Sequence, residues 1–221
     1  MGERWLNVLT AIAFGAVAVA LIVSLAGENT SAGSVAQSEP VPRISAEQWA
    51  VLTSTGHRVG SRPARVTLVE FGDFQCPACQ SLALLVDSLL REYPADFALV
   101  YHHFPLSYHR LAYPLAQASE CASRQGRFHE FYRSAYAEQN RLGVVGIVDL
   151  AVQAGLDTSA FERCRGDVSL NAPIDGDSAL ARKIGFRATP GVAIDGTTFG
   201  PTHTMSGAEL RERVRRSREG R

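Results

Sequence analysis

Glu70-Phe71-Gly72-Asp73-Phe74-Gln75-Cys76-Pro77-Ala78-Cys79-Gln80 decides how this chain is read. On its N-terminal side, Val66-Thr67-Leu68-Val69 is β-branched and apolar, as a buried strand requires. On its C-terminal side, Leu82, Leu85, Val86, Leu89 and Leu90 recur at helical spacing. The two cysteines therefore stand at a strand-to-helix junction. Pro77 suits the first helical position, where its missing N–H costs nothing. Cys76 then falls at the helix N-cap, with free backbone N–H groups and the positive end of the dipole beside its sulfur. A helix N-terminus in a Cys-x-x-Cys motif lowers the thiol pKa from roughly 8.5 to about 3.5–7, and the thiolate is the nucleophile. Cys79 lies one turn inward on the same face, as the natural partner for a reversible disulfide. The competing use of such a pair is half of a zinc site. Zinc needs four ligands, and no second Cys pair or His-x-x-His follows.

The 221 residues suffice for one large domain or one domain with an insertion. Lys+Arg and Asp+Glu each number 22, so no bulk charge points to nucleic acid or an acidic substrate. Near the N-terminus, Trp5 to Leu25 is apolar apart from Asn7, Thr10 and Ser24. That is the length of a membrane-spanning helix, about 20 residues, whereas a signal-peptide core has about 7–15. Ser24-Leu25-Ala26 and Ser34-Val35-Ala36 are acceptable cleavage sites, so anchor and signal peptide both stay open, with length favouring the anchor. Arg4 precedes the segment while Glu28 and Glu39 follow it, which puts the bulk of the chain outside the cytoplasm. In an oxidising compartment, disulfides are open to all four cysteines: Cys76, Cys79, Cys121 and Cys164.

Gly27 to Arg43 is rich in Ser, Gly, Ala and Pro and reads as a flexible tether. Ser45-Ala46-Glu47-Gln48 is a capping box for a short helix bearing Trp49 and Leu52. His57 to Gly60 fits a short edge strand and Ser61 to Arg65 a turn. The unit around the cysteines comprises strand 66–71 and helix 77–92, stopped by Tyr93-Pro94. Phe97 to His102 is the next strand, which implies a parallel βαβ unit with a right-handed crossover. From Pro105 to about Ile174 the strand pattern gives way to four helices. One bears Leu115, Ala118, Cys121 and Ala122 and begins near Pro114; a second bears Phe128, Phe131, Tyr132 and Ala135. Val144 to Ala154 and Thr158 to Arg165 are the others. Asp177 to Ile184 reads as a helix stopped by Gly185, and Asp195-Gly196 as a hairpin turn. Ser206-Gly207-Ala208-Glu209 caps a terminal helix whose arginines form a solvated basic end.

Taken together, these motifs resemble the DsbA-like group of extracytoplasmic thiol-disulfide oxidoreductases. The resemblance covers roughly residues 57–215. It rests on Val69-Glu70-Phe71-Gly72-Asp73-Phe74-Gln75-Cys76-Pro77-Ala78-Cys79, on Cys121-Ala122-Ser123-Arg124-Gln125-Gly126-Arg127-Phe128, and on Ala188-Thr189-Pro190 before the hairpin. It implies an α/β chain: a thioredoxin fold split into 57–103 and 175–218, with residues 104–174 as an inserted all-helical subdomain. Residues 1–26 precede this as transmembrane anchor or signal peptide, and 27–56 as linker and short helix. Cys76 matches the exposed nucleophile and Cys79 the buried resolving cysteine, with Pro77 and Ala78 forming the active-site loop between them. Pro190 matches a cis-proline that packs against the disulfide, and Thr189 before it offers backbone groups to a bound substrate strand. Glu70 matches a carboxylate buried beneath the pair, whose raised pKa would suit a proton acceptor for Cys79. Many strong oxidants of the group carry Pro-His between the cysteines. Here the pair is Pro77-Ala78, which suggests a milder oxidant. His102, His103 and His109 read as loop or core histidines. In an oxidising compartment Cys121 and Cys164 are expected to form a structural disulfide, the alternative being two buried free thiols.

The function so implied is the introduction of disulfides into exported proteins with free thiols. It needs no cofactor or resident metal, and it draws on a membrane redox partner to reoxidise the pair. The chain would be a monomer in the periplasm or cell envelope, held at the membrane by residues 5–25. The competing readings are a reductase or isomerase, a copper- or zinc-binding assembly module, and a tethered interaction module with an inert Cys pair. The absence of a dimerisation segment counts against an isomerase.

Overall fold

The computed structural model describes residues 43–199 and 206–219. The Trp5–Leu25 segment and the tether as far as Pro42 lie outside the described residues. Among those described, no helix is long and apolar enough to cross a membrane.

Helix α1 (Ala46–Ser54) is followed by β1 (His57–Gly60), β2 (Val66–Gly72), α2 (Pro77–Glu92) and β3 (Phe97–His103). Four helices come next: α3 (Ala112–Arg124), α4 (Phe128–Ala137), α5 (Ile147–Gln153) and α6 (Thr158–Arg165). The chain then returns through α7 (Asn171–Ile184), the hairpin β4 (Gly191–Ile194) and β5 (Thr197–Phe199), and α8 (Gly207–Glu219). The sheet order is β1-β3-β2-β4-β5. Among these strands only β2 and β3 run parallel, since α2 carries the chain back over the sheet between them. The hairpin turn has positive φ at Asp195 (47°) and Gly196 (80°), as a two-residue turn matched to strand twist demands.

The pleat assigns the faces. On β2, Leu68 and Glu70 point one way while Val69 and Phe71 point the other; on β3, Leu99 and Tyr101 oppose Val100 and His102. One face packs Val69, Phe71, Val100, Phe104 and Ala193 with Leu52 of α1 and Ala181 of α7. The other joins Leu68, Leu99 and Tyr101 to α2, α8 and the four inserted helices in one larger core. Glu70 thus belongs to the face that carries α2 and the insertion. The insertion is closed by a disulfide between Cys121 of α3 and Cys164 of α6. The arginines of α8 pair with Glu92, Asp96, Asp195 and Glu212, as a solvated face does.

Several boundaries differ from the sequence reading. Helix α7 starts at Asn171, not Asp177, and so runs across the expected domain boundary at 174/175. Pro173 sits in its first turn, where a proline is tolerated, and Ile174, Ser178 and Ala181 already form a buried stripe. Helix α5 starts at Ile147 because Asp149 Oδ2 accepts the Gly146 N–H at 2.9 Å, leaving Val144 87% exposed. Helix α3 begins at Ala112, with Pro114 in its first turn. The Ser61–Arg65 turn holds a cis Arg62–Pro63 bond that nothing in the local sequence announces.

Replacing both Cys121 and Cys164 by Ser frees a link that spans 43 residues. The chain-entropy model gives a loss of about 3–4 kcal/mol. Chemical denaturation should show the midpoint falling accordingly; an unmoved midpoint would mean that packing alone holds the insertion.

Candidate active site

Helix α2 begins as its sequence dictates. Cys76 is the N-cap in extended backbone (φ −78°, ψ 120°), Pro77 opens the helix, and no side chain caps it. The first backbone N–H groups are therefore free to face the Cys76 sulfur. Pro77 and Ala78 are exposed, Cys76 keeps 7% of its surface, and Cys79 is fully buried. Both thiols are free. Against them stands Thr189-Pro190, a cis peptide, with the Thr189 carbonyl 3.3 Å from Cys76 Sγ.

The electrostatics separate the two thiols. Cys76 is lowered to about 5, first by a hydrogen bond with Cys79, which outweighs burial, and then by Thr189 and the backbone N–H groups of Cys79 and Ala78. Cys79 is pushed well above the ordinary thiol range by burial, by its bond to Cys76, and by Glu70. Near neutral pH the pair therefore holds one thiolate, on the sulfur nearer the surface, and one thiol.

Glu70 lies behind the pair with no exposed surface. Burial raises its carboxyl to about 8; a hydrogen bond from Tyr132 opposes the rise, the Cys76 charge adds to it, and a bond with Cys79 opposes it. Tyr132 Oη donates to Glu70 Oε2 at 3.2 Å, and Oε1 has no partner among the described residues. Gly72 is required beside it. A Cβ there would run into the Tyr101 ring and come within 2.8 Å of Glu70 Oε1.

A second set of contacts fixes the loop that carries the cysteines. Asp73 is buried; its Oδ1 accepts the Gln75 N–H at 2.7 Å, and its Oδ2 accepts Leu106 N–H at 2.9 Å and meets His109 Nδ1 at 2.8 Å. From just beyond α4, Gln139 Nε2 donates to the carbonyls of Phe74 (2.9 Å) and Cys76 (3.0 Å). Gln75 Oε1 accepts the Leu111 N–H. Beside the pair, an apolar cavity of about 290 Å³ is lined by Ala78, Leu82, Leu85, Pro190, Val192 and Phe199, among others.

The structure thus brings Cys76, Cys79, Thr189, Pro190, Glu70, Pro77 and Ala78 together, and sets Cys121 and Cys164 apart as a disulfide in the insertion. Of the three histidines singled out in the sequence, His109 alone reaches the cysteine loop, through Asp73. His102 is buried between Asp177 (2.7 Å) and the Leu52 carbonyl (3.0 Å), and His103 is buried against Glu120. His109 binds Asp73. Sequence reasoning left Asp73, Tyr132 and Gln139 without a role. Asp73 alone carried a signal, as an acidic residue inside the motif at the mouth of a helix.

Two outcomes follow from these charges. Alkylation of Cys76 should follow pH with a midpoint near 5; a midpoint in the ordinary thiol range would contradict the site. Glu70, held at about 8 in the fold, contributes stability that is complete below its unfolded value near 4.5 and is lost as pH rises through about 8. Tyr132→Phe removes a donor to the carboxylate, so carboxyl titration should move above about 8 and the loss of stability should extend to higher pH. An unchanged titration would show that Tyr132 does not set it.

A thioredoxin family model matches residues 52–212. Over 146 residues, 63% of this chain, the sequence is 33% identical to a Na(+)/H(+) antiporter NhaA 1 from Mycolicibacterium gilvum, and it spans only 23% of that relative's length. A thioredoxin-like oxidoreductase from Silicibacter pomeroyi superposes with a TM-score of 0.64 at 25% identity, over 80% of this chain and 99% of that one. The thiol-disulfide exchange protein alpha-DsbA2 from Wolbachia pipientis shares the fold, with a TM-score of 0.64 at 18% identity, over 77% of this chain and 90% of that one. The α/β core and the block of helices set into it agree with these matches: the chain belongs to the thioredoxin family and is DsbA-like in build.

Proposed function

We propose that this chain is an extracytoplasmic thiol-disulfide oxidoreductase that introduces disulfides into exported proteins through Cys76 and Cys79. The observation that carries this reading is Cys76 at the uncapped N-terminus of α2 beside Cys79, a setting that favours its thiolate down to about pH 5. A stabilised thiolate stabilises the reduced enzyme, which makes its disulfide the stronger oxidant.

The cycle starts with Cys76–Cys79 closed. A substrate thiolate attacks Cys76 Sγ, forming a mixed disulfide and expelling Cys79. Cys79 is a poor thiolate and takes a proton, which the neutral Glu70 carboxyl is placed to give before it is reprotonated from solvent. A second substrate thiolate then attacks the substrate sulfur of the mixed disulfide, and Cys76 departs as the better leaving group. Two substrate thiols have become a disulfide and the enzyme has gained two electrons. In reoxidation the Cys79 proton returns to solvent by way of Glu70, and the electrons go to a membrane redox partner. The backbone of Thr189 and the apolar cavity beside Pro190 suit an unfolded segment that presents apolar side chains next to its cysteine. The Cys121–Cys164 disulfide supports an oxidising compartment, as does the apolar Trp5–Leu25 stretch.

Ala78 favours a second reading, a reductase or isomerase, because it places no extra positive charge beside Cys76. The reduction potential against glutathione separates the two. An oxidant should lie well above thioredoxin's roughly −270 mV, toward the approximately −120 mV of DsbA. A value at or below thioredoxin's would sink the oxidant and make the membrane partner an electron donor. The potential should also fall by about 60 mV per pH unit below pH 5, where reduction binds two protons, and by about 30 mV above it, where it binds one. Separately, when offered a disulfide substrate, Cys79→Ser should hold it as a mixed disulfide on Cys76 because no neighbouring thiol expels it; if none accumulates, Cys79 is not the resolving thiol.

A further inference from the structure

Away from the cysteine pair, three side chains from three elements converge on one point. His57 lies on the edge strand β1, His103 ends β3 and Glu120 lies on α3. Glu120 Oε1 is 2.9 Å from His57 Nε2 and 3.1 Å from His103 Nε2. The three ligand atoms all lie within 4.8 Å of one another. His103 is buried, and His57 and Glu120 are half-buried. The disulfide chemistry uses none of them.

Aromatic and disulfide contacts surround the cluster. His57 stacks on Phe128 with centroids 4.1 Å apart and meets His103 edge-on at 5.3 Å. Glu120 precedes Cys121, whose disulfide to Cys164 anchors that turn of α3. Two imidazole nitrogens and a carboxylate oxygen are a donor set for Zn²⁺ and its first-row neighbours. A tetrahedral ion about 2.0–2.1 Å from each donor sets the donors about 3.3 Å apart, so both N···O edges need to open by only a few tenths of an ångström. His57, on an edge strand, is the ring best able to move in and close the N···N edge. A cavity of about 430 Å³, lined in part by Thr55, Gly56, His57, Glu120 and Asp177, opens onto the cluster and has room for a fourth ligand. Among the described residues its lining has no Lys or Arg and includes a second carboxylate, so the local charge favours a cation.

One feature works against tight binding. His103 Nδ1 is buried with no partner among the described residues. Coordination through Nε2 would put the ring proton on that atom, whereas ligating histidines normally donate it to a partner. The site is therefore weaker than a closed structural zinc centre.

We propose that His57, His103 and Glu120 bind a first-row divalent ion such as Zn²⁺, which pins the edge strand β1 to helix α3. The test uses the full chain in detergent with Cys76–Cys79 oxidised, so that no thiol of the pair competes. Zn²⁺ binding is measured by calorimetry and Co²⁺ serves as an absorption probe. One ion should bind per chain, with visible d–d bands and no thiolate charge-transfer band. His57→Ala and Glu120→Gln should each weaken binding more than about tenfold, while His129→Ala should leave it unchanged. Circular dichroism checks the fold of each variant, and if His57→Ala fails to fold, the near-isosteric Glu120→Gln decides alone. No binding, binding that both variants leave unmoved, or loss in only one of two folded variants overturns the three-ligand site.

Discussion

A carboxyl group sealed in an apolar interior is the constraint on which this site depends. Glu70 has no exposed surface, and burial keeps it neutral to about pH 8. Directly above it, a helix N-terminus favours a charge on Cys76 down to about pH 5. The two groups repel when both are ionised, so the fold keeps one negative charge where the N–H groups of α2 face it and a proton where no water reaches. Cys79 lies between them and is held as a thiol by both neighbours. This arrangement needs a strand that ends at the mouth of a helix. It also needs a second structural layer that closes over the strand from the other side.

The inserted helices supply that layer. Tyr132 of α4 reaches the Glu70 carboxylate, Gln139 holds the carbonyls of Phe74 and Cys76, and Tyr136 Oη donates to the Asp73 carbonyl at 3.3 Å. Phe74 packs against Phe131, Tyr132 and Tyr136 at centroid distances of 5.2–6.3 Å. The insertion is thus more than a cover. It determines how dry the pocket under Cys79 is and how the loop that carries Cys76 is held. The disulfide between α3 and α6 ties two of these helices to one another.

What could be read in the sequence was local. Pro77 after Cys76, the β-branched run before it and the leucine spacing after it each specify a conformation within a few residues. Together they gave the limits of α2 to the residue. Asp195-Gly196 specified its turn in the same way. One boundary slipped: the helix expected from Asp177 starts at Asn171, and burial of Ile174 and Ala181 carries α7 through Pro173 and Gly176. Pairings across long stretches of chain left no periodic trace. Tyr132 is 62 residues from Glu70, and Gln139 is 63 from Cys76. A tyrosine on the apolar stripe of a helix looks like core packing, and only the fold shows that its hydroxyl ends on a carboxylate. The three-ligand cluster was hidden for the same reason, since His57 and Glu120 are 63 residues apart.

The residue between Pro77 and Cys79 bears on how such a site is tuned. An imidazole there would add a positive charge that Ala78 cannot supply. The contributions that lower Cys76 in this chain come from Cys79, Thr189 and backbone N–H groups, one of which belongs to Ala78 itself. A backbone donor does not depend on its side chain, so a low thiol pKa needs no histidine at position 78. What is lost is an adjustable, exposed charge; what remains is fixed by the helix and by the segment before β4. In this chain the backbone and the neighbouring thiol lower Cys76 without that charge.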